Sequence, residues 1–143
     1  MTGKTIVIAS DHAGVELKAQ LVADMKAMGA QIHDLGPSDT ASVDYPDYAH
    51  KLAEWMKSHA DAQGVLICGS GIGMSIAANR HPHIRAALCH SGLEASLTRK
   101  HNNANVLCLG ARIIGCETAR DCLKQFLTTE FEGGRHAERI KKI

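Results

Sequence analysis

Two short segments hold the most reactive side chains of the sequence, and each directly follows an apolar run typical of a buried strand. One reads SDHAG at 10–14 and the other reads CGSGIG at 68–73. A carboxylate and an imidazole can transfer protons and bind anions, whereas a thiolate can act as a base or a nucleophile. The two segments therefore predict a ligand site with acid–base chemistry, provided that the fold brings them together.

The glycine-rich segment matches neither of the two common nucleotide-binding motifs. A dinucleotide fingerprint needs a third glycine where Met74 stands, and the Gly-Lys-Ser/Thr ending of a P-loop is absent. What remains is a strand, a tight turn and a helix start, which direct several backbone N–H groups toward one point. Such a nest stabilises an oxyanion or a phosphate. An ordinary strand-to-helix turn is the alternative, since glycine is common in such turns.

Cys68 occupies the last strand position before this turn. A thiol near a helix N-terminus ionises more readily and can serve as a base or nucleophile, although many free cysteines are simply buried in the core. The other four cysteines are predicted to be packing residues: Cys89, Cys108, Cys116 and Cys122. An odd number of cysteines without a Cys-x-x-Cys pair predicts free thiols in a reducing, cytoplasmic compartment.

Histidines and their polar neighbours supply further candidates. Asp11 is suited to cap the helix that follows it, and His12 beside it favours a ligand-facing loop. His101 and Asn102 begin an asparagine-rich stretch that we predict to be the turn into the fifth strand. A histidine beside an amide is a usable acid–base and oxyanion pair, although asparagine is also typical of turns. The other histidines lack metal-ligand spacing, so we predict no catalytic metal.

Three arginines are candidate phosphate ligands because a guanidinium group binds phosphate in a bidentate fork. Arg112 follows the predicted fifth strand, and Arg135 and Arg139 lie four residues apart on one face of a predicted tail helix. A solvated basic face is the alternative for the tail. Because residues 133–143 have little apolar surface, we expect this tail to pack on a partner subunit or to fray.

The composition excludes several classes of protein. The 143 residues contain 16 Lys plus Arg and 15 Asp plus Glu, a formal net charge of +1 that argues against nucleic-acid or membrane-surface binding. Aromatic residues, at 3%, are too few for a platform that stacks nucleic-acid bases. No apolar stretch reaches the ~18 residues of a membrane span, and the amino terminus does not read as a signal peptide.

Strand and helix patterns alternate along the chain and predict one α/β domain over residues 1–143. The predicted strands are Lys4–Ala9, Gln31–Leu35, Val65–Cys68, Ile84–Cys89 and Val106–Leu109. Because a helical pattern follows each strand, we expect a Rossmann-like, three-layer α/β/α sandwich whose five-stranded parallel sheet has the order 2-1-3-4-5. The strand order then reverses between strands one and three, where ligands bind, and the two reactive loops become neighbours.

Five motifs in order along the whole chain resemble ribose-5-phosphate isomerase B. They are ASDHAG at 9–14, DYPDYA at 44–49, CGSGIGMSIAANR at 68–80, RKHNNANVLCLGAR at 99–112 and EGGRHAERI at 132–140. The wider grouping includes allose-6-phosphate and galactose-6-phosphate isomerases and some tetrose-phosphate isomerases. The resemblance implies an α/β/α sandwich that forms a homodimer or a dimer of dimers with shared sites. It also implies aldose–ketose isomerisation of a phosphorylated sugar without metal or organic cofactor.

The resemblance also implies a role for each candidate residue. Cys68 is the expected base, and His101 is expected to open the sugar ring with help from Asp11. The expected enediolate ligands are the backbone amides of Gly69, Ser70, Gly71, Ile72 and Gly73 and the side chain of Asn102. The expected phosphate ligands are His12, Arg112, Arg135 and Arg139, the last two from the partner subunit. A second subgroup uses a glutamate where this chain has Met74, so the chain resembles the cysteine type.

Several alternatives stay open from the sequence. The substrate is expected to be ribose 5-phosphate and ribulose 5-phosphate, but a tetrose 4-phosphate or a hexose 6-phosphate fits the same motifs. A non-catalytic phosphosugar-binding subunit is less favoured, because Cys68, His101 and Asp11 are all present. A nucleotide- or flavin-binding module is the alternative at the level of the fold, and Met74 counts against it.

Overall fold

A computed structural model describes residues 3–143, and their core is a five-stranded parallel sheet covered by helices on both faces. The strands are β1 (Thr5–Ser10), β2 (Gln31–Asp34), β3 (Gln63–Cys68), β4 (Ala86–Leu88) and β5 (Val106–Gly110). The helices are α1 (Val15–Ala27), α2 (Tyr45–Met56), α3 (Ile72–Ala78), α4 (Gly92–Asn102), α5 (Cys116–Thr128) and α6 (Arg135–Ile140). The predicted α/β/α class is confirmed, while the first two residues of the predicted 1–143 domain lie outside the described part.

Side chains alternate between the two faces of the sheet and so divide the core into two layers. Ile6 and Ile8 of β1 face the layer of α1, α4 and α5, whose largest buried side chain is Phe126. Val7 and Ala9 face the layer of α2 and α3. Successive side chains of a strand point to opposite faces, so a strand in the middle of such a sheet must be apolar at every position. Across residues 3–143, no helix is both long and apolar enough to cross a membrane.

The order of the strands is β2-β1-β3-β5-β4, so the predicted order 2-1-3-4-5 was wrong at its last two positions. All five residues of β5 are buried, as an interior strand requires. The edge strand β4 has only three residues, and all three are partly exposed. The reversal between β1 and β3 is as predicted, but β5 and the loop that follows it now lie directly beside β3.

The fourth strand is shorter than predicted because two asparagine side chains bind the backbone around its start. The amide of Asn79 accepts from the N–H of Ala86 at 2.8 Å and donates to its carbonyl at 2.9 Å. The amide of Asn105 accepts from the N–H of Arg85 at 2.8 Å. Strand β4 therefore begins at Ala86 rather than at Ile84.

Helix α4 is longer than predicted, and this moves two candidate residues. The predicted turn began at His101, whereas α4 continues to Asn102. Asn103 ends it with a left-handed φ of 45°, which asparagine tolerates better than most residues. His101 and Asn102 therefore lie in the last turn of α4 and not, as predicted, in a turn leading into β5.

The tail is helical and folds back on its own chain as α6. Gly133 and Gly134, with φ of 69° and 57°, make the bend that precedes it. Both values lie in the left-handed region, which costs glycine little. The side chain of His136 is then packed against α4, where its ring stacks on that of His101 with centroids 4.4 Å apart.

Candidate active site

A cavity of about 560 Å³ opens at the carboxyl end of β3, where the strand order reverses. Its lining residues come from the β1, β3 and β5 loops and from the start of α2: Asp11, Tyr45, Cys68, Gly69, Ser70, Ile72, Gly73, Arg112 and Ile113. The N–H of Asp11 donates to the carbonyl of Ile67 at 3.0 Å, which joins the first two loops. The prediction that these two loops are neighbours is confirmed.

Cys68 is buried at the floor of this cavity, with 4% of its surface exposed. Its Sγ accepts a hydrogen bond from the backbone N–H of Gly71 at 3.2 Å. Gly71 has a left-handed φ of 79°, and a Cβ there would lie 2.9 Å from the carbonyl carbon of Leu109. Only glycine therefore suits this position, and its N–H is directed at the sulfur, where it stabilises negative charge.

The predicted nest of backbone N–H groups is partly used within the loop itself. Besides the Gly71 donor that reaches the thiol, the N–H of Ile72 donates to Oγ of Ser70 at 3.3 Å. The first N–H groups of a helix have no partner inside the helix, so the N–H groups that follow Ile72 in the first turn of α3 are the ones available to a ligand.

Arg112 reaches the cavity because β5 lies beside β3. The N–H of Ala111 donates to the carbonyl of Cys68, and that of Arg112 to the carbonyl of Gly69, both at 2.9 Å. A Cβ on Gly69 would lie 3.4 Å from Nη1 of Arg112, so the guanidinium group lies over the glycine turn. The order predicted from the sequence would have put another strand between Arg112 and the thiol.

Asp11 both caps a helix and faces the cavity. One carboxylate oxygen, Oδ1, accepts from the N–H of Ala13 at 2.9 Å and of Gly14 at 3.3 Å, at the start of a short 3₁₀ turn. The residue is 7% exposed and lines the cavity. Its capping bonds fix the carboxylate beside the thiol loop, so the two interpretations drawn from the sequence are compatible.

His12 is half-buried, and it is not among the residues that line the cavity. Its Nδ1 accepts a hydrogen bond from the N–H of Val43 at 3.2 Å. A nitrogen that accepts carries no hydrogen, so the neutral ring bears its hydrogen on Nε2. His12 therefore presents an N–H donor on the side of the ring away from Val43.

The remaining candidates do not line the Cys68 cavity of their own chain. Helix α4 follows β4 and starts near the carboxyl ends of the strands, where β3 also ends. It runs antiparallel to the strands and finishes near their amino ends. His101 lies there, in a group with Glu132 and His136, and burial lowers the pKa of His136. Asn102 borders a groove of about 540 Å³ beside β4 whose described lining residues include no cysteine, aspartate or glutamate. Arg135 and Arg139 are exposed on α6.

Sequence reasoning missed Tyr45, Ile113, Glu132 and His136. The ring of Tyr45 lies so close to Gly73 that a Cβ there would overlap it. The DYPDYA motif was the available signal for this residue. For Glu132 and His136 the signal was their spacing of four residues around a Gly-Gly pair.

Comparison with known proteins finds similar sequences that cover nearly the whole chain. The model of the Ribose/Galactose Isomerase family matches residues 6–143. A putative sugar phosphate isomerase of Rickettsia conorii is 49% identical over 138 residues, which is 96% of each chain. Ribose-5-phosphate isomerase B of Escherichia coli is 39% identical over 140 residues, covering 98% of this chain and 94% of the relative.

Solved structures with the same fold extend the comparison. A ribose 5-phosphate isomerase of Thermotoga maritima has a TM-score of 0.95 at 48% identity, covering 98% of this chain and 97% of the other. Ribose-5-phosphate isomerase B of Mycoplasma genitalium with bound ribulose-5-phosphate has a TM-score of 0.95 at 42% identity, covering 99% and 95%. The match of motifs, sheet and sequence over nearly the whole chain establishes that this protein belongs to the Ribose/Galactose Isomerase family.

Proposed function

We propose that the protein interconverts ribose 5-phosphate and ribulose 5-phosphate through an enediolate, without a metal or organic cofactor. The observation that carries the proposal is the Cys68 thiol at the floor of an open cavity, with a backbone N–H on its sulfur. Support also comes from the relatives, one of which is a ribose-5-phosphate isomerase B with bound ribulose-5-phosphate. A base beside fixed hydrogen-bond donors is what formation of an enediolate requires.

In the proposed reaction, the Cys68 thiolate removes the C2 proton of the open-chain aldose. The electron pair of the C–H bond forms the C1–C2 double bond, and the O1 oxygen takes up the negative charge. The N–H groups at the start of α3 and the amide of Asn102 from a second copy of the chain stabilise the enediolate oxygens. Transfer of a proton between the oxygens, and return of the Cys68 proton to C1, give the ketose. The Gly71 donor lowers the cost of holding charge on the sulfur.

We further propose that each site is completed by a second copy of the chain. The partner subunit's His101 transfers a proton to open the furanose ring, helped by Asp11. His12 and Arg112, with the partner's Arg135 and Arg139, hold the phosphate. Within one chain, Cys68 lies at the carboxyl ends of the strands and His101 at their amino ends, and this separation supports the arrangement.

Exposed apolar side chains supply a surface for that second copy. Ile72 and Ile76 on α3 are 53% and 62% exposed, Leu93 on α4 is 69% exposed, and Ile113 in the cavity wall is 59% exposed. Ile72 and Ile113 line the Cys68 cavity, and exposed large apolar side chains beside a site are typical of a protein–protein interface. A homodimer is the simplest assembly that covers them, and a dimer of dimers is compatible with it.

Heterodimers that carry two substitutions test the shared site. In the trans heterodimer, a Cys68→Ala chain pairs with a His101→Asn chain, so one of the two sites keeps both residues. We expect it to have about half of the activity of the unsubstituted dimer, because a two-fold dimer has two equivalent sites. Differently tagged chains allow it to be purified, and ketose formation is the measurement.

The matched control is the cis heterodimer, in which one chain carries both substitutions and its partner carries neither. A shared site predicts that it is inactive, since each site then lacks one residue. An active cis heterodimer beside an inactive trans one would place both residues in the site of a single chain and contradict the proposal.

The choice of sugar is tested with four-, five- and six-carbon aldose phosphates in the presence of a chelator. We expect the pentose phosphate to be isomerised fastest, and a faster tetrose or hexose phosphate would change the substrate but not the chemistry. A purified chain that binds the sugars and turns over none of them would favour a non-catalytic binding subunit.

The five free thiols agree with a reducing, cytoplasmic setting, which we also propose.

A further inference from the structure

His101, Glu132 and His136 form a compact cluster outside the Cys68 cavity, called here the tail cluster. One ligand atom from each of the three side chains lies within 4.8 Å of the others. Oε1 of Glu132 is 3.9 Å from Nε2 of His101 and 3.5 Å from Nε2 of His136. Two imidazoles therefore converge on one carboxylate oxygen.

The backbone holds the tail cluster in place. The N–H of Glu132 donates to the carbonyl of Lys100, next to His101, at 3.2 Å. The bend at Gly133 and Gly134 then turns the chain back, so that His136 comes to lie beside Glu132. The side chain of His136 is only 11% exposed, whereas those of His101 and Glu132 are 43% and 52% exposed. One ligand is thus anchored, and the other two are open to an ion from solvent.

This donor set suits a transition-metal ion rather than a hard cation. Two imidazole nitrogens and one carboxylate oxygen are ligands that Zn²⁺, Co²⁺ and Ni²⁺ accept, whereas Mg²⁺ and Ca²⁺ prefer oxygen alone. Metal–ligand bonds of about 2.0–2.2 Å put neighbouring ligand atoms a little over 3 Å apart. The observed 3.5 and 3.9 Å come close to this, and the two stacked rings need only turn toward each other.

We propose that the tail cluster is an inhibitory site for a divalent transition-metal ion of the Zn²⁺ type. A metal held by His101, Glu132 and His136 occupies the imidazole that the proposed mechanism uses to open the sugar ring. The inhibitory effect rests on the proposed function, but metal binding at the tail cluster does not.

Titration with Co²⁺ tests the site independently of activity, because bound Co²⁺ has visible absorption that depends on its ligands. We expect binding to the unsubstituted protein, and a loss of affinity of about tenfold or more in Glu132→Gln and in His136→Asn, since even changes to groups behind the ligands cost 10–100-fold. Glu94→Gln is the matched control, because His90 and Glu94 are an exposed pair 3.9 Å apart that has no third ligand among residues 3–143. Thermal melts of all the variants check that they are folded.

Unchanged Co²⁺ affinity in both Glu132→Gln and His136→Asn overturns the proposal, as does an equal loss in Glu94→Gln. A thiolate-to-cobalt charge-transfer band would place the ion on a cysteine and also overturn it. With activity present, Zn²⁺ should inhibit the unsubstituted protein at lower concentration than it inhibits Glu132→Gln. Equal inhibition of both would assign the effect to the Cys68 thiol. If the protein proves inactive on sugar phosphates, the cobalt titration still decides whether the metal site exists.

Discussion

Burial suppresses the ionisation of three thiols of this chain. Burial raises the pKa of Cys89 to about 12 and that of Cys122 to about 11, and it raises the pKa of fully buried Cys108 still further. A raised thiol pKa means that the neutral, unreactive form predominates at neutral pH. The sulfur of Cys68 has other surroundings, since it accepts a backbone N–H and borders a cavity open to solvent.

Alkylation therefore separates the thiols. With iodoacetamide at about pH 8, we expect Cys68 and the partly exposed Cys116 to be labelled within minutes and Cys89, Cys108 and Cys122 to stay unlabelled, because the thiolate is the reactive form. Peptide mass spectrometry measures each site. Added ribose 5-phosphate should protect Cys68 alone, with Cys116 as the internal control. Labelling of Cys89 ahead of Cys68 would contradict the role given to Cys68.

At the scale of elements, the glycine-rich turn after Cys68 is held by its close contact with the end of β5. A Cβ on Gly110 would lie 2.5 Å from the carbonyl oxygen of Ser70 and 2.6 Å from its carbonyl carbon. Both are backbone atoms, which cannot move aside as a flexible side chain can. The absence of a side chain at Gly110 is thus what allows Ser70 to lie against β5.

Gly110→Ala should displace this turn. We expect the free energy of unfolding to fall by about 1–3 kcal/mol, the usual range for overpacking, and the activity to fall with it. Gly115→Ala is the control, since nothing lies within 4 Å of a Cβ there. Denaturant melts and ketose formation are the measurements, and equal stability of the two variants would show that the contact does not constrain the turn.

The sequence was sufficient for the strands and for the meeting of the β1 and β3 loops, because apolar runs and the reversal rule depend on local pattern. It did not distinguish the interior strand from the edge strand. IRAALC and VLCLG are both mainly apolar. The start of β4 is set by the side chains of Asn79 and Asn105, which lie outside the strand pattern, 7 and 20 residues from the groups that they bind. The asparagine run after His101 was typical of a turn, yet only Asn103 takes the left-handed conformation that ends α4.

At the scale of the whole molecule, several large apolar side chains on the helices remain exposed to solvent. Ile72 and Ile76 lie one turn apart on α3, and Leu93 and Leu97 lie one turn apart on α4, all exposed. The proposed second copy of the chain would remove this surface from water, with a favourable free energy of roughly 25 cal/mol per Å² of apolar area.

A charge on this surface should therefore separate the subunits. We expect Ile76→Asp to be folded but monomeric, and inactive because neither site is completed by a partner. Ala19→Asp, which adds the same charge to an exposed position on α1 in the opposite layer, should leave the assembly and the activity unchanged. Light scattering and ketose formation measure the two properties. A fully active Ile76→Asp monomer would remove the need for a shared site.

The side chain of Asn79 also covers part of the outer edge of β4. The amide of Asn79 offers Ala86 one donor and one acceptor, as the peptide group of a sixth strand would. An uncovered strand edge is a template on which another chain can add a strand, and repeated addition leads to aggregation. By covering an outward-facing peptide group of a three-residue strand, Asn79 discourages growth of the sheet from one molecule into the next. Copies of this chain are thereby directed to meet through the side chains of their helices, which favours a closed assembly over an open-ended one.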